Sequence, residues 1–189
     1  MLARNFLFSL PTSTNTARGL LTRRAFFTAQ SPQTFSLTRT LPHSAELLYK
    51  VVSNVNEYHK FIPYCTDSEI TARDEKTQQP RKATLKVGWN NFAESFESEL
   101  TCEEPHLVIA QSNHTMFEVL FTRWKIRPVG KNSCRVALDL KFTFSNPLYN
   151  LASASFAPTA TKLMIEAFEK RAEYVNQLQK TKDNNSTGA

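Results

Sequence analysis

The stretch HSAELLYKVVSNVNEYHKFIPYC, residues 43–65, joins an amphipathic helix to an abrupt corner. Its apolar residues recur every three or four positions, which is typical of a helix with one buried face. Ser44 can cap the start of this helix, and Glu46 in the first turn suits the helix dipole. Pro63 must end it, because its ring removes an N–H and disfavours helical geometry at Ile62. The sequence therefore predicts one helix that ends before Pro63, at a corner rich in large apolar side chains.

Alternating apolar and polar residues predict strands on both sides of this helix. QTFSLTRTL (33–41) alternates before it, with Arg39 as the one charged residue on the apolar face. The same period of two recurs between the corner and residue 145. The predicted strands there are 67–75, 82–89, 92–102, 106–112, 117–129 and 134–145. Such successive antiparallel strands are expected to have one wet face and one apolar face.

A broad apolar stripe at helical spacing predicts a long last helix over residues 146–180. Asn146 followed by Pro147 suits the start of this helix, and Pro158 is expected to kink or loosen it. Residues 181–189 are predicted to be a disordered tail. The order of elements predicts an α+β fold, in which a curved antiparallel sheet wraps around the C-terminal helix. One helix fills such a concavity only partly, so an internal apolar cavity is expected.

The first 30 residues have the composition of a mitochondrial targeting presequence. Residues 1–45 contain five Arg, no Lys and no acidic residue, and they are rich in Ser and Thr. A disordered basic tail is the alternative. Without residues 1–26, 19 basic and 17 acidic residues remain, so most of the basic excess belongs to the leader. A nucleic-acid partner is therefore not expected from the net charge of +6.

Motifs for several other chemistries are missing from the sequence. The four glycines are scattered, which argues against a phosphate-binding loop. Cys65, Cys102 and Cys134 form no CxxC pair and indicate neither a disulfide framework nor a metal site. No catalytic residue and no catalytic cofactor are predicted.

In order and spacing, four segments resemble the coenzyme Q-binding protein family of mitochondria, which has the helix-grip fold of the START lipid-transfer superfamily. These segments are HSAELLYKVVSNVNEYHKFIPYC (43–65), AESFESELT (93–101), RWKIRPVG (123–130) and AFEKRAEYV (167–175). The chain departs from the family pattern at Tyr64, where Trp is usual, and at Glu99, where a basic residue is common. The resemblance spans about residues 33–178.

The resemblance implies a START-like domain over residues 31–180 that binds coenzyme Q in its cavity without chemistry. It also implies a peripheral position on the matrix side of the mitochondrial inner membrane, with support of respiratory electron transport and of coenzyme Q biosynthesis. Contacts with respiratory or biosynthetic complexes are a further expectation. Three alternatives stay open: a ribosome-associated interaction protein of the same fold, a carrier of another lipid, and an enzyme such as a cyclase.

Candidate cavity residues come from the apolar faces of the predicted strands, from the corner and from the last helix. They are Phe61, Pro63, Tyr64, Leu85, Val87, Glu94, Phe96, Leu100, Leu120, Trp124, Ile126, Leu138, Leu140, Phe156, Leu163, Met164 and Phe168.

Some of these candidates have more than one interpretation. Glu94 falls on an apolar face, where a carboxylate is costly unless it is paired. It pairs with Arg39, bonds a quinone head group, or is turned outward by a bulge. Trp124 either stacks on a quinone or anchors the core. Phe61 and Tyr64 either line the cavity entrance or fill the core at a corner.

Overall fold

Over the residues that the structure describes (31–89, 92–112, 114–146 and 157–186), the computed structural model contains one seven-stranded antiparallel sheet. Its strand order is β1-β7-β6-β5-β4-β3-β2. In chain order the elements are β1 (Gln33–Leu41), α1 (Ala45–Ser53), a 3-10 helix (Val55–Lys60), β2 (Cys65–Arg73), β3 (Pro80–Trp89), β4 (Phe92–Glu103), β5 (Leu107–Ser112), β6 (Phe117–Gly130), β7 (Ser133–Phe144) and α2 (Ala157–Ser186). The predicted α+β architecture, a curved sheet with a long C-terminal helix, is confirmed.

The first helix is shorter than the sequence predicts. α1 ends just before Asn54, whose ψ of 71° leaves the helical region, and the chain continues as a 3-10 helix. Two side-chain hydrogen bonds tie that segment to β2. The backbone N–H of Ile70 donates to Asn56 Oδ1 (2.6 Å), and the backbone N–H of His59 donates to Ser68 Oγ (3.0 Å). These hydrogen bonds to β2 thus accompany the replacement of one continuous α-helix by a shorter α-helix and a 3-10 helix.

The last helix, α2, is described from Ala157 to Ser186. Residues 147–156, predicted to form its first turns, lie outside the described residues, as does the predicted presequence 1–30. Pro158 occupies the first turn of the described helix, where a missing N–H costs little. The helix continues to Ser186, so the predicted disordered tail is helical over residues 181–186. Within the described residues, no helix has the length and apolarity needed to cross a membrane.

The main core lies between α1, α2 and the strands β6 and β7. Leu48 and Val52 of α1 are completely buried, as are Ile126 of β6 and Leu138 of β7. Ser44 caps α1 as predicted, since its Oγ accepts the backbone N–H of Leu47. The core therefore fixes both helices against one half of the sheet. Ala83 of β3 and Leu100 of β4 belong instead to a smaller cluster with Val55.

Asp139 connects three neighbouring strands through its carboxylate. Oδ1 accepts from Ser36 Oγ on β1 (2.7 Å), and Oδ2 accepts from Nε (2.9 Å) and Nη2 (2.7 Å) of Arg123 on β6. The Ser36 hydrogen bond and then Arg123 hold the pKa of this carboxyl below its ordinary value of 3.8. A lowered pKa means that the folded protein favours the ionised form.

Asp139→Asn should lower the free energy of unfolding at pH 7 by about 0.5–1 kcal/mol, because the interaction is partly exposed to solvent. The contribution of the ionised carboxylate is present above pH 3.8 and is lost as the pH falls through the lowered pKa. The difference between wild type and variant should therefore shrink below pH 3.8. Urea unfolding at several pH values measures it, with the exposed Glu118→Gln as a control. A difference that stays constant over the whole pH range would contradict this assignment.

Candidate ligand cavity

An apolar cavity of about 280 Å³ lies between the concave face of the sheet, the corner after the 3-10 helix, and α2. Its exposed rim includes Tyr64 and Leu163, which are 50% and 38% exposed. Its interior includes Ala83, Val108 and Trp124, all buried. The lining residues are Val55, Tyr58, Ile62, Pro63, Tyr64, Cys65, Ala83, Leu85, Val87, Phe96, Ser98, Leu100, Val108, Ala110, Leu120, Thr122, Trp124, Leu140, Leu163, Met164 and Phe168. The cavity thus has a mouth between the corner and α2.

Small side chains on the inward face of the sheet create this space. On β4, Phe96, Ser98 and Leu100 are buried, whereas the residues between them are exposed. Ser98 lies directly opposite Ala83 of β3 in the strand register. Ala110 of β5 lies opposite Leu100. Alanine and serine at these inward positions leave a volume that leucine or phenylalanine would fill.

Many of the predicted cavity residues line this cavity. They are Pro63, Tyr64, Leu85, Val87, Phe96, Leu100, Leu120, Trp124, Leu140, Leu163, Met164 and Phe168. Their contact with a ligand remains a prediction. Ile126 and Leu138 are instead completely buried in the main core and do not line the cavity. Phe156 lies outside the described residues.

The two aromatic residues of the corner have different positions. Phe61 is not a lining residue: its ring packs edge-on against Tyr58 (5.7 Å between centroids) and Phe168 (5.1 Å), beneath Arg171. Tyr64 lies at the mouth. The core interpretation therefore describes Phe61, and the entrance interpretation describes Tyr64.

The predicted pairing of Glu94 with Arg39 is wrong. Arg39 Nη1 lies 3.2 Å from Glu169 Oε2, and Nη2 lies 3.9 Å from Glu166 Oε1, so this arginine anchors α2 to β1. Glu94 is half-buried on the inward side of β4, opposite Val87, and is not a lining residue. The partners of Arg39 are two carboxylates of α2. The alternation of residues within one strand could not indicate them, because they come from a distant helix.

A second arginine anchors α2 to the 3-10 helix. Arg171 Nη2 lies 2.7 Å from Glu57 Oε2, and the guanidinium also stacks over Phe61 (5.6 Å) and Tyr174 (5.0 Å). The Arg171 side chain is only 18% exposed. Charge-assisted contacts of this kind are stronger than freely exposed ones. α2 is therefore held on both sides, next to the cavity mouth.

The described lining of the cavity contains no carboxylate, lysine, arginine or histidine. Burial raises the pKa of the Tyr58 phenol and of the Cys65 thiol, so both stay neutral near pH 7. Both groups already donate to backbone oxygens, Tyr58 Oη to Val52 and Cys65 Sγ to Asp67 (3.3 Å). The cavity is thus suited to a neutral, largely apolar ligand.

Trp124 combines the two roles that the sequence left open. Its ring is 4% exposed, packs edge-on against Phe168 at 4.6 Å and also lines the cavity. It therefore anchors α2 on the sheet while presenting a surface to the cavity.

The sequence prediction missed several lining residues. Val108 and Ala110 of β5 line the cavity, although no residue of this strand is among the predicted ones. Ser98 lies on the same strand face as Phe96 and Leu100, and Thr122 on the same face as Leu120 and Trp124, so the period of two already indicated that both point inward. Tyr58 and Ile62 could be placed only once the 3-10 helix was known.

The wrapped sheet, its long terminal helix and the open apolar cavity define a protein of the START-like helix-grip class. The family described as polyketide cyclase / dehydrase and lipid transport matches residues 41–169. A START superfamily protein from Mycobacterium smegmatis superposes with a TM-score of 0.67 at 22% identity, over 75% of this chain and 98% of that chain.

Sequence relatives narrow the class. The mitochondrial coenzyme Q-binding protein of Schizosaccharomyces pombe is 31% identical over 147 residues, which cover 77% of this chain and 90% of the relative. The ribosome association toxin of Escherichia coli K12 is 29% identical over 140 residues, 74% of this chain and 87% of the relative. The chain belongs to the coenzyme Q-binding protein family within the START-like superfamily.

Tyr64 has a φ of 65°, a left-handed conformation that costs a non-glycine residue about 1–2 kcal/mol. Tyr64→Gly should therefore be more stable than Tyr64→Ala by about 1 kcal/mol, although both variants lose the same ring. Urea unfolding of the two variants measures the difference. The control is the exposed strand position Glu69, where Glu69→Gly should be less stable than Glu69→Ala. A Tyr64→Gly variant less stable than Tyr64→Ala would contradict the backbone assignment.

Proposed function

We propose that this chain binds coenzyme Q in the apolar cavity and acts as a non-enzymatic carrier or chaperone for it. The observation that carries the proposal is a neutral, open-ended cavity in a chain of the coenzyme Q-binding family. A quinone is uncharged and its polyprenyl tail is a hydrocarbon. Burying apolar surface contributes about 25 cal/mol per Å², and a cavity lined by Leu85, Val87, Leu100 and Leu140 offers such surface.

The chemistry of the lining supports binding rather than turnover. A general acid or base works best with a pKa near the operating pH. Among the described lining residues, the Tyr58 and Cys65 side chains have pKa values raised by burial, away from neutrality. No described lining residue is a carboxylate or histidine. The proposed role is therefore storage, protection or delivery of the bound molecule.

The proposal includes a location in the mitochondrion. The arginine-rich, acid-free leader and the mitochondrial naming of relatives support import into mitochondria. The ligand is dissolved in the inner membrane, so we place the protein peripherally on the matrix side of that membrane. There it would support respiratory electron transport and coenzyme Q biosynthesis, through contacts with the complexes that use or make the quinone.

The similarity to a ribosome association toxin favours a second candidate function, binding to ribosomes. Electrostatic binding to RNA weakens steeply as the salt concentration rises. Salt-sensitive co-sedimentation of the mature chain with mitochondrial ribosomes would support this alternative. A chain that stays in the supernatant at low salt would exclude it.

Ala110→Phe should abolish loading with quinone while the protein stays folded, because the new ring occupies the cavity space next to Leu100 and Thr122. The measurement is mass spectrometry of lipid extracted from the chain purified from its own mitochondria. The matched control is Ala137→Phe on β7, which alternates with the buried Val136 and Leu138 and so faces away from the cavity.

Wild type and Ala137→Phe should carry a quinone at a substantial fraction of one molecule per chain, and Ala110→Phe should carry almost none. The wild-type extract also gives the tail length. Phospholipid or no lipid in folded wild-type protein would contradict the proposal. Equal quinone loading of Ala110→Phe and Ala137→Phe would show that the quinone binds outside this cavity.

A further inference from the structure

One wall of the largely apolar cavity carries the hydroxyl of Ser98, which bonds to no protein group among the described residues. Ser98 of β4 is 4% exposed and lines the cavity, and its Oγ has no hydrogen-bond partner within the described part of the chain. Ser98 Oγ is not one of the fully buried polar atoms that lack a partner, which in the described part of the chain are His43 Nδ1 and Thr143 Oγ1, so it is accessible from the cavity. Its neighbour Ser112 on β5 shows the alternative, since Ser112 Oγ donates to the backbone oxygen of Glu97 at 2.6 Å. Ser98 thus has a free donor that faces the cavity.

Thr122 of β6 supplies a second hydroxyl to the same cavity. It lies between Ala110 of β5 and Leu140 of β7 in the strand register, and all three line the cavity. No hydrogen bond of its side chain is found among the described residues. Two hydroxyls from different strands therefore face one apolar space.

Ser98 lies well inside the cavity. The mouth of the cavity is at Tyr64. The backbone N–H of Gly88 on β3 donates to the backbone carbonyl oxygen of Tyr64 at 2.9 Å, so this end of β3 lies next to the mouth. Val87 lies at that end of β3. Ala83 lies two inward-facing positions further from the mouth on the same strand, and Ser98 of β4 is paired with Ala83. This spacing corresponds to about 13 Å at the rise of an extended strand. The polar part of a ligand therefore finds its partners in the interior, away from solvent.

The cavity volume limits how much of the ligand it encloses. About 280 Å³ is just below the range of about 300–1,000 Å³ that is usual for sites that bind drug-sized molecules. A polyprenyl quinone is a ring with a long hydrocarbon tail, so the cavity holds the ring and only the first part of the tail.

We infer that Ser98 and Thr122 form a seat for the quinone ring, which enters first while the tail leaves through the mouth between Tyr64 and Leu163. This inference rests on the proposed function. The ring oxygens of the quinone accept hydrogen bonds, and a serine or threonine hydroxyl donates one. In the reduced quinol the ring hydroxyls donate and the same side chains accept. The seat therefore accommodates both redox states without a charged group.

The first test uses Ser98→Ala and Thr122→Val, with a probe that carries the dimethoxy-methyl-benzoquinone ring and a ten-carbon chain. Each variant should bind the probe about 2- to 10-fold more weakly, the effect of losing one neutral hydrogen bond. Decanol, which has the chain without the ring, should bind wild type and variants equally. Ser112→Ala is the matched control, because this buried serine does not line the cavity.

Infrared spectra with ¹³C-labelled quinone carbonyls report the hydrogen bonds directly. In wild type the carbonyl band should lie below its position in an alkane solvent, and it should move back towards that position in Ser98→Ala or Thr122→Val. A structural effect of the substitution does not reproduce this shift. If wild type and both variants bind the quinone with the same affinity and show the carbonyl band at the same position, the seat is overturned but the proposed function is not. Wild type that does not bind the quinone overturns the proposed function and the seat with it.

The orientation has its own test. A quinone whose ten-carbon chain ends in a bulky triphenylphosphonium cation should bind wild type nearly as well as the simple probe, because that end remains outside the mouth. Exclusion of this probe, while the simple probe still binds, overturns the ring-first orientation.

Discussion

The contact of Phe168 with three other rings is the interaction on which this structure depends. Its ring lies 4.6 Å from Trp124 of the sheet, 5.2 Å from Tyr58 of the 3-10 helix and 5.1 Å from Phe61 of the corner, edge-on in each case. Such aromatic pairs add about 0.5–1.5 kcal/mol each beyond the area that they bury. The same ring also lines the cavity. One residue of α2 thus joins the sheet, the corner and the cavity wall.

With α2 fixed at this point, the ion pairs of two arginines set its direction. Arg39 binds Glu166 and Glu169 from one side, and Arg171 binds Glu57 from the other. The part of the helix that precedes Phe168 then carries Leu163 and Met164 to the cavity mouth. A helix held at its middle and at its flanks packs on the core at Phe168 and leaves a space between Leu163, Met164 and the sheet. The cavity is therefore a consequence of how α2 is anchored.

Period and spacing could predict the fold because each element buries one face. The strand Gln33–Leu41 has the predicted bounds, and its alternation of half-buried and exposed residues follows the sequence pattern. The cavity wall was harder to predict. The same alternation placed Ile126 and Leu138 inward, but they are packed into the main core with the helices, whereas Leu85 and Leu100 line the cavity. Which inward residues face a helix and which face space depends on packing between distant segments. The ion pairs of Arg39 depend on the same packing, which is why its partners could not be read from one strand.

The polarity of the wall decides what kind of protein this shared fold becomes. The matching family includes cyclases and dehydrases as well as lipid transport, so the sheet and the helix do not by themselves specify chemistry. An enzyme needs a titratable group aimed at its substrate. Here Glu94 on the inward side of β4 lies outside the described lining, and the hydroxyl of Tyr58 is bound to the oxygen of Val52. What remains inside is apolar surface with Ser98 and Thr122. Such a wall can orient a neutral ring by hydrogen bonds. The residues that the described part of the sheet turns inward thus support the binding role proposed for this chain.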